Sequence, residues 1–236
     1  MSESKKPIDW NRLLIEGLVI VVSILLAFSI DAWWDQQREL RDAEDQVARV
    51  VAELNANITI LNAQDEALGH TTRAAREFLS MMGPDVEAVS NQEVGVMMGR
   101  IFSVGTLSLS RSATQNFLSS GQLTDGRWVG IRLALSEMLS KVHAAENNSL
   151  ELRQMRPNIW EHEQDFVSGL DIVRDHALMK DYPASQFESD ADALLSDMKF
   201  EGVIANYAIR MEINRDNVRD LLARHSALIN MIEDGQ

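Results

Sequence analysis

The 236-residue sequence contains no cysteine. That excludes disulfides, thiolate nucleophiles and cysteine-ligated metals, and leaves the fold to be held by packing alone. Proline is nearly as scarce, with four in the chain and none between Pro7 and Pro84, so no obligatory helix break falls in that interval. Positive charge is in deficit: 22 lysines and arginines face 36 aspartates and glutamates, a formal net charge of −14. Residues 1–34 contribute little to the imbalance, so the rest of the chain presents a surface that repels nucleic acid and anionic headgroups. A protein, a cation or a small molecule is the expected kind of partner. Strand signals are also missing: alternating Val, Ile or Thr runs are few, there is no Asn-Gly turn, and Asp125-Gly126 leads into a helical pattern.

Catalytic constellations are absent as well. The histidines His70, His143, His162, His176 and His225 form neither His-Glu-x-x-His nor Glu-x-x-His, and no Gly-x-Ser-x-Gly elbow or phosphate-cradling glycine loop occurs. His162 stands among Glu161, Glu163 and Asp165, a pattern that more often marks a solvated helix face than a metal patch. No enzyme activity, cofactor or metal is expected.

The most informative feature present is one apolar stretch, Leu13 to Trp34. At about 1.5 Å of rise per residue it is long enough to cross a hydrocarbon core of roughly 30 Å. Trp10 before it and Trp33 and Trp34 at its end stand where aromatic side chains mark membrane interfaces. The rival reading is a cleaved secretory signal, with small residues near Ala32; no clean pair of small residues two apart supports it. Lys5, Lys6 and Arg12 precede the span in a very short tail, and Arg38, Arg41 and Arg49 follow it, which orients the amino terminus toward the cytoplasm. Residues 1–12 are then a cytoplasmic tail, 13–34 a transmembrane helix and 35–236 an extracytoplasmic domain.

Beyond the span the pattern is helical. Leu40, Val47, Leu54, Leu61 and Leu68 recur every seven residues, predicting a helix that continues the membrane segment to about Met82, where Gly83-Pro84 stops it. Such a repeat serves either a coiled-coil seam between subunits or an arm of an intramolecular bundle; Asn57, Gln64 and Thr71 on the seam favour the bundle. Ser90 and Glu93 form a capping box opening a short helix, within which Gly95 and Gly99 form a GxxxG suited to close helix packing. Further helices are expected over about 112–120, from Asp125 to Arg156, from Ile159 to Met179 and from Phe200 to Ile232, with Val104 to Ser110 a loop and Pro157 a break or kink. The fold class is all-α: one transmembrane helix continuing into an antiparallel bundle of three or four long helices. Leu54, Leu61, Leu135, Leu139, Tyr207, Leu221 and Leu228 are its expected core.

Two segments, GLVIVVSILLAFSIDAWWDQQRE and NFLSSGQLTDGRWVGIRLALSEML, resemble a family of bacterial single-pass membrane proteins whose helical outer domain has no assigned function. The similarity covers about residues 13–60 and 112–140. It departs at Asp31 and Ala32, where the family tends to have asparagine. The resemblance implies an architecture and a bacterial inner-membrane setting with a periplasmic domain, and supplies no catalytic residue.

On a helix, Glu16, Ile20, Ser23, Ala27 and Asp31 fall in one sector about 80° wide. A carboxylate against lipid is costly, so this stripe reads as a helix–helix interface or a pore wall, with Ser23 and Ala27 permitting close approach. Alternatively Glu16 and Asp31 lie at headgroup depth, about 22 Å apart. Three functions follow: a membrane-anchored structural or accessory protein that self-associates or docks onto an envelope complex; a homo-oligomeric pore or transport assembly lined by Glu16; or an extracytoplasmic sensor or binding module acting through a partner. The expected partners are the lipid bilayer and copies of this chain or subunits of a membrane complex, with no nucleic acid.

Overall fold

The computed structural model describes residues 10–85, 88–120, 126–170, 183 and 185–234, and of residues 10–17, 19, 40 and 127 the backbone alone. Regular structure among the described residues is helical throughout: α1 (Trp10–Ser80), α2 (Asn91–Ile101), α3 (Ser112–Ser119), α4 (Gly126–Glu163), α5 (Ala191–Leu195) and α6 (Met198–Asp234). The all-α expectation holds. By its contacts the chain divides into two units, Met1–Arg49 and Val50–Gln236, and α1 contributes residues to both.

In the first unit every described side chain from Leu18 to Gln36 is exposed, the isoleucines, leucines and tryptophans included. Among the described residues no helix is long and apolar enough to cross a membrane. The side chains of residues 13–17 and Val19 lie outside the described residues.

The second unit is a bundle whose directions follow from its contacts. Phe78 meets Phe200 at a ring separation of 6.1 Å while Asp65 meets Arg215, so rising along α1 is descending along α6. Glu137 pairs with Arg224 and Glu151 with Arg210, so α4 is also antiparallel to α6. Helices α1 and α4 therefore run the same way. Of the expected antiparallel bundle, α6 runs against both of its long neighbours, whereas α1 and α4 are parallel: the connection between these two must return the length of the bundle, and it does so as α2, an extended segment over 103–111 and α3.

The seven-residue repeat closes the core from one side, with Leu54, Leu61 and Leu68 fully buried. Across from it lie Leu135, Met138, Val142 and Ile159 of α4 and Ile204, Tyr207, Met211, Val218, Leu221 and Leu228 of α6. Leu139, expected in the core, is half-buried. Met138 and Val142 take the inward face four residues apart, which turns Leu139 about 100° toward the rim.

The helix boundaries have local causes. After Ser80, Gly83 adopts φ +150, a conformation that side chains disfavour, and its N–H donates to the Leu195 carbonyl at 3.0 Å; Pro84 then prevents resumption. The Ser90 box forms as expected: the Glu93 N–H donates to Ser90 Oγ at 3.2 Å, and the Ser90 N–H donates to Glu93 Oε2 at 3.0 Å. The GxxxG does not act as a packing motif, because Gly99 is exposed with nothing near its missing Cβ.

Helix α4 continues through Pro157 to Glu163, so of the break or kink expected there the break does not occur. Proline inside a helix costs about 3 kcal/mol. Buried Leu152 and Ile159 pin the helix on either side, and Arg156 donates to the Tyr207 hydroxyl at 3.2 Å and to the Val104 carbonyl. The helix expected from Ile159 to Met179 is thus replaced at its start by the end of α4 and a turn over 164–167; residues 171–182, the Asp125 cap and Gly121 lie outside the described residues. Helix α5 was not anticipated.

Candidate functional site

The polar positions of the seven-residue repeat hold the returning segment. Asn57 Nδ2 donates to the Ser110 carbonyl at 2.7 Å, and the Ser110 N–H donates back to Asn57 Oδ1 at 2.9 Å. One heptad on, Gln64 Nε2 donates to the Gly105 carbonyl at 3.1 Å; one further, Thr71 Oγ1 lies 3.5 Å from Ser103 Oγ. From the other side, Glu146 accepts from the Leu109 N–H at 3.0 Å and Ser149 Oγ accepts from the Leu107 N–H at 2.8 Å. An extended segment cannot pair its own backbone, and these side chains supply the missing partners. Val104, Leu107 and Leu109 can then be buried.

Glu53 performs a related task. Helix α3 has no side-chain cap of its own, and Glu53 from α1 accepts from the N–H groups of Ala113 at 2.8 Å and Thr114 at 3.0 Å, and from the Thr114 and Ser110 hydroxyls. A carboxylate at a helix amino terminus is favoured by the helix dipole and by the orphan donors there. Burial pushes its carboxyl up, but those hydrogen bonds outweigh it and hold the pKa below the ordinary 4.5. His225 is buried nearby, its Nδ1 donating to the Leu221 carbonyl at 2.8 Å, and burial lowers its pKa. Both carboxylate oxygens of Glu53 are occupied by the fold, so this cluster reads as architecture.

The stripe expected to carry function has a different standing. Ile20, Ser23, Ala27 and Asp31 are exposed, and the side chain of Glu16 lies outside the described residues. His162 does not gather carboxylates around it: its Nε2 sits 3.2 Å from Asp197 Oδ2, its ring stacks on Phe200 at 5.8 Å, and the neighbouring Glu163 is buried. Among the described residues no group of three or more His, Asp or Glu side chains is placed to hold a metal ion.

Concave, charged surface is found instead along the carboxyl-terminal part of α1. A cleft of about 170 Å³ between α1 and α6 is lined by Gly69, Thr72, Arg73, Arg76, Glu212, Arg215, Asp216 and Arg219. Helical spacing puts Arg73 and Arg76 three residues apart on α1, and Arg215 and Arg219 four apart on α6, so both pairs face the groove. Arg215 and Arg219 both donate to Asp65 Oδ1 at 2.8 Å, Arg76 pairs with Glu212, and Arg73 lies 3.2 Å from His70 Nδ1. Those two arginines hold the Asp65 carboxyl below its usual value, although partial burial opposes them. Two guanidinium groups thus share one carboxylate. Gly69 makes room for this arrangement, since a Cβ there would meet Arg215 Nη2 at 2.7 Å. The Thr72 hydroxyl, in a residue only 4% exposed, has no hydrogen-bond partner among the described residues.

Arg73 also lines a second cleft of about 410 Å³ on the other side of α1, with His70, Ala74, Glu77, Arg100 and Ser103. A third, of about 460 Å³, is lined by Met81, Ala88, Val89, Gln92, Val96 and Met97 among others. None of these arginines stands in a recognisable motif. Their signal was available as basic residues at spacings of three and four on two long helices, hidden by an average charge that is strongly negative. No family model matches the chain, and neither a curated protein nor a solved structure matches it.

Proposed function

We propose that this chain is a membrane-anchored accessory protein, with its helical bundle outside the cytoplasm, that self-associates or docks onto a larger envelope complex. The observation that carries the reading is the apolar run from Leu18 to Trp34, in which the large hydrophobic side chains are between 48% and 66% exposed on every side of a helix. Water does not tolerate such a helix, and a bilayer does. The resemblance to bacterial single-pass proteins supports the same setting, and the short basic tail supports a cytoplasmic amino terminus.

The arginine-lined cleft favours one second reading, an extracytoplasmic sensor or binding module that acts through a partner. A pore lined by Glu16 finds no comparable support, because that side chain lies outside the described residues. Native mass spectrometry of the detergent-purified full chain tests the proposal. A homo-oligomer, or a defined complex with co-purifying membrane proteins, is the expected result, and a bare monomer at all concentrations would contradict it.

A further inference from the structure

We propose that the cleft between α1 and α6, at Gly69, Thr72, Arg76, Arg215 and Arg219, binds the phosphoryl group of a small anionic ligand. The inference goes beyond membrane anchoring and does not depend on it.

Three observations converge. The first is an excess of donors. Asp65 engages the Nε groups of Arg215 and Arg219 and, at 3.4 Å, one Nη of Arg215; the remaining guanidinium N–H groups of this pair have no carboxylate within hydrogen-bond reach among the described residues. A guanidinium offers five donors in a planar fork that matches phosphate oxygens, so its unused edge is a ready contact. The second is Thr72, which lines the same cleft and whose buried hydroxyl has no hydrogen-bond partner among the described residues. A buried polar group left unpaired is costly, and a bound oxyanion is the kind of group that would pair it. The third is Gly69, where the absence of a side chain lets the Arg215 head lie against the α1 backbone. Any larger residue would push that head away.

The cleft volume, about 170 Å³, admits a phosphate and its first contacts. The acidic groups present do not cancel the site. Glu212 is committed to Arg76 and Asp65 is shared, leaving Asp216 as the lining carboxylate without an ion pair among the described residues, against Arg73 at the rim. In a chain with a formal charge of −14, a local surplus of this kind is where an anion is retained.

Inorganic phosphate and short-chain phosphatidic acid, titrated separately into the full chain in detergent at constant ionic strength, test the assignment by calorimetry. Saturable binding of either supports it: free phosphate alone assigns a soluble ligand, and phosphatidic acid alone assigns a lipid headgroup. Arg219→Gln leaves Arg215 to hold Asp65, and Thr72→Val keeps the shape of the buried side chain. Each is expected to weaken binding about tenfold, the scale of one hydrogen bond to a charged group. Gly69→Ala, which displaces the Arg215 head, should weaken it as well. Lys141→Gln, which removes one exposed charge from α4 outside the cleft, should leave it unchanged, and circular dichroism of every variant should match the native chain. Absence of saturable binding, or equal weakening by Lys141→Gln and Arg219→Gln, would overturn the proposal.

Discussion

Asn57 and Ser110 exchange two hydrogen bonds, the side-chain amide of one with the backbone amide of the other, at 2.7 and 2.9 Å. A residue on a helix thereby does for an extended segment what a neighbouring strand would do. The consequence is topological: with the segment over 103–111 satisfied between α1 and α4, the bundle accommodates two parallel long helices without a fourth long helix between them.

Because Asn57 is buried and both its polar ends are engaged, losing it removes both hydrogen bonds that hold the backbone of Ser110 to α1. Asn57→Ala is expected to destabilise the bundle by about 1–3 kcal/mol, more than one surface hydrogen bond would. Gln64→Ala, at a more exposed station of the same row, should cost about 1 kcal/mol or less. Urea unfolding followed by circular dichroism measures both. Equal and negligible effects would show that the segment is held by its apolar residues alone.

Glu163 ends α4 with its carboxyl in the interior, 1% exposed, and Oε1 without a hydrogen-bond partner among the described residues. Burial pushes its pKa from 4.5 up to about 7. The fold accommodates the neutral acid, so the stability tied to this group is whole below pH 4.5 and is lost as the pH rises toward about 7. Glu163→Gln is expected to remove that dependence and to exceed the native chain at pH 8 by on the order of 3 kcal/mol, with the two nearly equal near pH 4. Urea midpoints across this range decide it, and parallel profiles for the two proteins would contradict it.

Much of the fold was legible because it is local. The leucines at 54, 61 and 68, the Ser90–Glu93 box and the Gly83-Pro84 stop each act within one or two turns, and the structure uses them as read. Helix α5 was legible in principle: Asp190 caps it by accepting from the Ala193 N–H at 2.9 Å, and Ala191, Leu194 and Leu195 lie three and four residues apart. What the sequence hid is pairing over long separations. Nothing near Glu53 announces that it will cap a helix about sixty residues away, and nothing near Asp65 announces the two arginines that reach it from α6. Asn57, Gln64 and Thr71 were recognised as seam residues against a subunit interface, yet the segment they hold read only as a loop. The arginine cleft was missed for the same reason, since composition averages over a surface whose charge is local. Pro157 misled because tertiary packing can hold a helix across a residue that would end it in isolation.

The account rests on the apolar run from Leu18 to Trp34 lying in a bilayer, and the most direct measurement is alkaline carbonate extraction of membranes carrying the full chain. The native protein is expected to stay wholly with the membrane pellet. A variant with Val22→Asp and Leu25→Asp is expected in the supernatant, because each carboxylate near the middle of a span costs about 2.5–3.5 kcal/mol of insertion. Recovery of the native chain in the supernatant would contradict the account.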